Sequence, residues 1–171
     1  LFDGVHRGHR AVIGEAVRLA EKLSVSPAVF TFETSTVSSK DGSANRIVTD
    51  SQKLELIRSM GVELIYSPPF DELKGLSAED FVKKILVERM NCAAVVCGSD
   101  FRFGRGAEGN CAVLRGLCDK YSISLDVVPD EKYGGVRISS SEIRKLIADG
   151  NIHEANTLLG YDYYIKETVI S

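Results

Sequence analysis

Short apolar runs and amphipathic stretches take turns along this chain, and that alternation narrows the fold more than any other feature. PAVFTF (27–32), VELIYSP (62–68), AAVVC (93–97) and SLDVVP (124–129) are brief, rich in β-branched or aromatic residues, and read as buried strands. Between them lie helices. Val12, Ile13, Ala16, Val17, Ala20 and Leu23 recur at helical spacing, so about His6 to Leu23 is predicted helical. DSQKLELIRSMG (50–61) follows, with Asp50 or Ser51 as N-cap and Gly61 as stop. SAEDFVKKILVERM (77–90) opens on an S-x-x-D variant of the capping box and buries Phe81, Ile85 and Leu86. Further helices are predicted around Ala112 to Tyr121, over SSEIRKLIADG (140–150) with Ser139 and Glu142 in capping-box spacing, and over IHEANTLLG (152–160).

Strand, helix, strand in repetition implies a parallel sheet covered by helices, with its ligand crevice at the carboxyl ends of the strands. FDGVHRGH (2–9), the loop after Phe32 and GSDFRFG (98–104) would then share one rim. Residues 33–45 are polar, rich in Ser and Thr, and read as a mobile loop. GVRIS (135–139) reads as a short strand leading into a helix, and YDYYIKETVIS (161–171) as a strand without a partner in this layout. With 171 residues, 44% of them hydrophobic, the chain suffices for one good core. A net charge of −3 leaves no basic footprint for nucleic acid. No apolar run approaches the about 18 residues that span a bilayer. Cys92, Cys97, Cys111 and Cys118 form no C-x-x-C pair and read as reduced thiols of a cytoplasmic protein.

Two clusters carry chemistry. FDGVHRGHR (2–10) holds two of the three histidines. His6 and His9, three apart in a first helical turn, share a face with the free N–H groups and the positive end of the helix dipole. Gly8 lets a ligand approach. The whole is a phosphate cradle with proton-donating walls; a metal pair or plain surface histidines stay open on spacing alone. Zinc would want a third ligand, and His153 falls in a different helix. RISSSEIR (137–144) places Ser139, Ser140 and Ser141 before a helix whose first turns carry Arg144, again a donor set for phosphate oxygens. A Ser-capped helix with a surface arginine would look the same.

FDGVHRGH resembles the H-x-G-H signature of the nucleotidyltransferase superfamily, and ISSSEIR its second signature, I-S-S-T-x-x-R. VFTFE, KLELIRSMGVE, LSAEDFV, VVCGSDFRFGRGAEGN and LLGYDYYI extend the likeness to the FAD synthetase (FMN adenylyltransferase) domain of the bacterial bifunctional riboflavin kinase/FAD synthetase family. The resemblance implies a Rossmann-like α/β fold of the H-x-G-H type whose first strand is missing ahead of Leu1. It implies ATP and FMN as substrates with Mg²⁺, a transferase domain over 1–160, and a covalently linked riboflavin kinase domain beginning within 161–171. The implied reaction is in-line attack of the FMN phosphate on the ATP α-phosphate, releasing pyrophosphate. His6, His9 and Arg144 would be catalytic, with imidazoles whose ordinary pKa of about 6.5 makes the protonated form accessible. Phe2, Asp3, Gly4, Gly8, Ser139, Ser140 and Ser141 would bind nucleotide. Phe32, Asp100, Phe101 and Phe103 would bind flavin, although for Phe101 and Phe103 loop packing is the preferred reading, since paired aromatics after a buried strand usually anchor the loop. Two departures stand out: Thr34, Ser35 and Thr36 replace a P-H-P sequence, and Ser141 replaces a threonine. The alternatives are a glycerol-3-phosphate cytidylyltransferase, a pantetheine-phosphate adenylyltransferase, or a catalytically silent nucleotide- or flavin-binding module. GSDFRFGRGAEGN speaks against the first two.

Overall fold

The computed structural model describes residues 2–33 and 46–166. The expected loop at Thr34–Thr36 and the end of the tail lie outside the described residues. A 3-10 turn over Asp3–Val5 leads into α1, Arg7–Leu23, which ends on Ser24 in the left-handed conformation. β1 is Ala28–Phe30, α2 Asp50–Arg58, β2 Leu64–Tyr66 and α3 Phe70–Leu73. Thr49, not Asp50 or Ser51, caps α2: its hydroxyl accepts the Gln52 N–H at 3.2 Å while the Gln52 side chain accepts the Thr49 N–H at 2.9 Å. That reciprocal box satisfies two orphan donors at once.

α4, Ala78–Asp80, is capped by Ser77 and continues as π-helix over Phe81–Arg89. The expected plain helix is wider than an α-helix here, with the Met90 N–H reaching the Ile85 carbonyl at 2.9 Å. β3 (Ala94–Gly98), α5 (Cys111–Lys120), β4 (Ser124–Val128), the strands β5 (Lys132–Tyr133) and β6 (Val136–Arg137), α6 (Ser140–Ala148) and α7 (Ile152–Leu159) complete the order.

The α/β alternation is as expected, and the main strand pairs are parallel: β1 with β2, and β3 with β4. Among the described residues these pairs are separate and not one sheet, and the expected first strand has no counterpart. The short strand of GVRIS instead closes an antiparallel hairpin, β5 with β6. Residues 161–166 form no strand.

Three apolar clusters hold the fold. One joins Phe81, Leu86, Cys97, Phe103, Leu114 and Cys118 around β3, α5 and the π-helix. A second joins Ile47, Val48, Ile138, Ile143, Leu146 and Leu159 beneath α6 and α7. The third, Val5, Ile13, Val29, Ile57 and Val62, lies under the 3-10 turn. Val5 is fully buried there, a contribution of about 1.5–3 kcal/mol that fastens the opening loop to the core. No helix among the described residues is long and apolar enough to cross a membrane.

Candidate active site

The opening motif is a turn before it is a helix. Gly4 has φ +77°, and a Cβ there would stand 2.9 Å from the Ile47 side chain, so no other residue fits. His6 is the N-cap of α1 rather than a member of its first turn, and its Nδ1 accepts the His9 N–H at 3.4 Å. The two imidazoles stack, centroids 3.6 Å apart at 18°, and Phe2 meets His9 edge-on at 5.2 Å. A Cβ on Gly8 would lie 3.3 Å from the His6 ring. A side chain at position 8 would therefore crowd the His6 imidazole.

Burial also changes the expected protonation. Desolvation first, and the Arg137 charge second, lower the His6 pKa to about 4. Desolvation first, and the neighbouring His6 second, lower that of His9 to about 2. Both rings are neutral in the free protein at pH 7, not readily protonated. His9 Nδ1 is buried and has no hydrogen-bond partner in the protein. Buried polar atoms are seldom left so.

The second motif meets the first at Asp3. Ser140 Oγ donates to the Asp3 carbonyl at 2.9 Å, and Arg144 Nη1 pairs with the Asp3 carboxylate at 2.7 Å. The other carboxylate oxygen accepts the Ile47 N–H at 3.1 Å. Arg144 also donates to Ser141 Oγ at 3.3 Å, and Ser139 caps α6 by accepting the Glu142 N–H at 3.3 Å. Residues 137 and 141 positions apart thus share one wall.

The third segment reaches the same region through Arg137, whose guanidinium pairs with Asp100 and, at 3.4 Å, with Asp130. Asp100 is therefore committed to an arginine. Phe101 stacks on Phe103 at 5.4 Å and 12°, and Phe103 is buried in the first cluster, the packing role weighed above. Phe32, half-buried beyond the end of β1, meets Phe30 and Phe70 edge-on at 5.0 and 5.2 Å.

The FAD synthetase family profile matches residues 1–142. The chain belongs to the FAD synthetase family. The bifunctional riboflavin kinase/FMN adenylyltransferase of Escherichia coli is 32% identical over 172 residues, covering 99% of this chain and 55% of that protein. Its counterpart in Listeria monocytogenes is 35% identical over 173 residues, covering 99% and 54%. The chain spans about half the length of the curated relatives it matches. In three dimensions it is similar to a crystal structure described as a macrolide-efflux protein from Streptococcus pneumoniae, with TM-score 0.83, 28% identity, and coverage of 95% of this chain and 62% of that one.

Against this FAD synthetase background three residues escaped the motif reading. Arg137 stands at the head of RISSSEIR, but only its charge near His6 and its two aspartates reveal a role. Lys53 resembles a solvated helix lysine in sequence, yet it is 1% exposed and its ammonium donates at 2.8 Å both to the Phe32 carbonyl and to Asp50. It ties α2 to the rim. Tyr161 donates its hydroxyl to the Gly4 carbonyl at 2.7 Å. No local signal could have found Tyr161.

Proposed function

We propose that this chain is an FMN adenylyltransferase, making FAD and pyrophosphate from FMN and ATP. An oxygen of the FMN phosphate attacks the α-phosphorus, a new P–O bond forms, and the bond to the bridging oxygen of pyrophosphate breaks. No side-chain nucleophile is needed. The protein's task is to align two anions and to meet the charge that builds on the α-phosphate and the leaving group.

Because Nδ1 of His6 accepts a backbone N–H, its proton sits on Nε2 and is available to a phosphate oxygen. His9 stacks against this ring and holds its place. Arg144 spends part of its five-donor guanidinium on Asp3 and Ser141 and keeps the remainder for the β and γ phosphates, with the Ser139 hydroxyl proton alongside, while Ser140 holds the Asp3 carbonyl. Phe2, Asp3, Gly4 and Gly8 shape the nucleotide side, and Phe32, Asp100 and Phe101 the flavin side. The single observation that carries this reading is Asp3, which both Ser140 and Arg144 touch and which opens the histidine motif.

Among the described residues no three His, Cys, Asp or Glu side chains gather as a metal cage. Mg²⁺ fits this protein as an ion held mainly by ATP phosphates, the usual manner for nucleotide sites, and supplies charge neutralisation there. We assign residues 1–160 to the transferase and 161–171 to the lead-in of a riboflavin kinase domain, the second activity named in the relatives. Free thiols at Cys92, Cys97, Cys111 and Cys118 suit a cytoplasmic enzyme.

The test is incubation of the full chain with FMN, Mg²⁺ and either ATP or CTP, following FAD by chromatography and pyrophosphate release. FAD is expected with ATP alone. Turnover restricted to CTP would replace the reading with a cytidylyltransferase, and ATP binding without pyrophosphate release would replace it with a silent binding module.

A further inference from the structure

Two successive residues ahead of the histidines have positive φ, Gly4 at +77° and Val5 at +37°. Glycine adopts such a value freely. A β-branched residue does so only where its surroundings over-determine it, and such strain collects at functional sites. Three contacts constrain this turn. Val5 is sealed in the third apolar cluster, the Asp3 carbonyl is held by the Ser140 hydroxyl at 2.9 Å, and the Gly4 carbonyl by the Tyr161 hydroxyl at 2.7 Å.

The last contact comes from outside both signature motifs. Tyr161 follows α7 in a segment that is fixed on its own account. The Tyr163 N–H donates to Asn156 at 2.8 Å, Gln52 donates to the Tyr164 carbonyl at 3.2 Å, and Lys166 pairs with Glu55 at 2.9 Å. Tyr161 and Tyr163 also pack against the second apolar cluster. Residues 161–166 are a strap whose hydroxyl reaches the loop already placed.

We infer that Tyr161 is a positioning residue for adenylyl transfer: its hydroxyl fixes the Gly4–Val5 peptide and so the place of the His6 and His9 rings. It acts through the loop and touches no substrate. A neighbouring peptide that rotates would carry His6 off its cap and out of its stack with His9, and misplacement of this size lowers the chemical step more than it lowers ground-state binding. The inference rests on the adenylyltransferase reading for its kinetic arm only.

The experiment is Tyr161→Phe in the full chain, which removes one oxygen and keeps the packed ring. We expect kcat for FAD formation to fall about 10-fold or more, with KM for ATP within about two-fold. The imidazole titrations, followed by NMR, should move upward toward the ordinary value of about 6.5 as the loop loosens. A purely structural tyrosine would lower the melting temperature and leave both readouts where they were. Wild-type kcat in the variant overturns the inference. If the wild-type protein makes no FAD, the proposed function fails separately, and wild-type imidazole titrations in Tyr161→Phe then overturn the strap by themselves.

Discussion

The loop at residues 2–9 is held largely by polar side chains from α6 and beyond, whereas the loop at 98–110 adds aromatic and glycine packing to its backbone and side-chain hydrogen bonds with Leu76, Ala78 and Asp130. Asp3 and Gly4 receive Ser140, Arg144 and Tyr161. In the second loop Phe103 and Gly109 exchange backbone hydrogen bonds at 3.2 and 2.9 Å, Phe103 stacks on Phe101, and Gly104 at φ +75° leaves so little room that a Cβ would stand 2.8 Å from the Ala78 nitrogen. Arg137 to Asp100 is the polar link between this loop and β6. The difference teaches what each loop is for. A loop fastened through hydroxyls and a guanidinium gathers polar groups around one turn; a loop that adds aromatic packing supplies a wall.

Two substitutions and one pH series would break or sharpen that contrast. His9→Asn removes an imidazole at the polar loop and should lower kcat about 100-fold or more, the scale of one lost donor to a developing anion, with the circular dichroism unchanged. A variant that kept its turnover would put the first loop on the same footing as the second. Gly109→Ala attacks the packed loop: its Cβ would meet the Phe103 ring at 2.6 Å. Overpacking of that kind costs about 1–3 kcal/mol, so denaturant melts should show a clear loss of stability while kcat of the folded protein stays within about two-fold.

The third test is in acid. His6 and His9 titrate near 4 and near 2 in the folded protein but near the ordinary value of about 6.5 when unfolded. The unfolded chain therefore binds more protons between those limits, and stability is complete above the unfolded value and declines as pH falls from about 6.5 toward 4 and below. His9→Asn should flatten that decline in melting temperature measured across the same pH range. An unaltered slope would mean that the stacked pair is not buried as described.

Much of the architecture is legible locally because periodicities and caps are local. Gly61 and Gly160 close helical segments as anticipated, and the Ser77, Asn110 and Ser139 caps sit where a short polar side chain precedes an apolar period. Thr49 was legible too, since Thr-x-x-Gln is a capping box one residue ahead of the Asp and Ser preferred above. The π-helical stretch was not, because apolar spacing over a few turns does not separate it from an α-helix. Of the site, the two signature motifs were readable as short strings, but their meeting at Asp3 was not, because it joins residues 137 and 141 positions apart. The neutrality of the histidines depends on burial, and burial is a tertiary property. Lys53 and Tyr161 were illegible for the same reason: nothing beside them in sequence distinguishes a lysine under a rim or a phenol on a turn from a solvated one.

The Tyr161 to Gly4 bond spans 157 positions, and the Asp3 contacts span 137 and 141. Closing so long a loop costs chain entropy that nearer contacts do not, so these bonds form after the helices and strand pairs between them. During synthesis the histidine loop emerges ahead of α6 and Tyr161 and waits for both before its carbonyls are capped. A nascent chain halted after α5 would hold most of the first apolar cluster yet lack the Ser140, Arg144 and Tyr161 contacts of the opening loop, so a core can gather well before that loop is fastened.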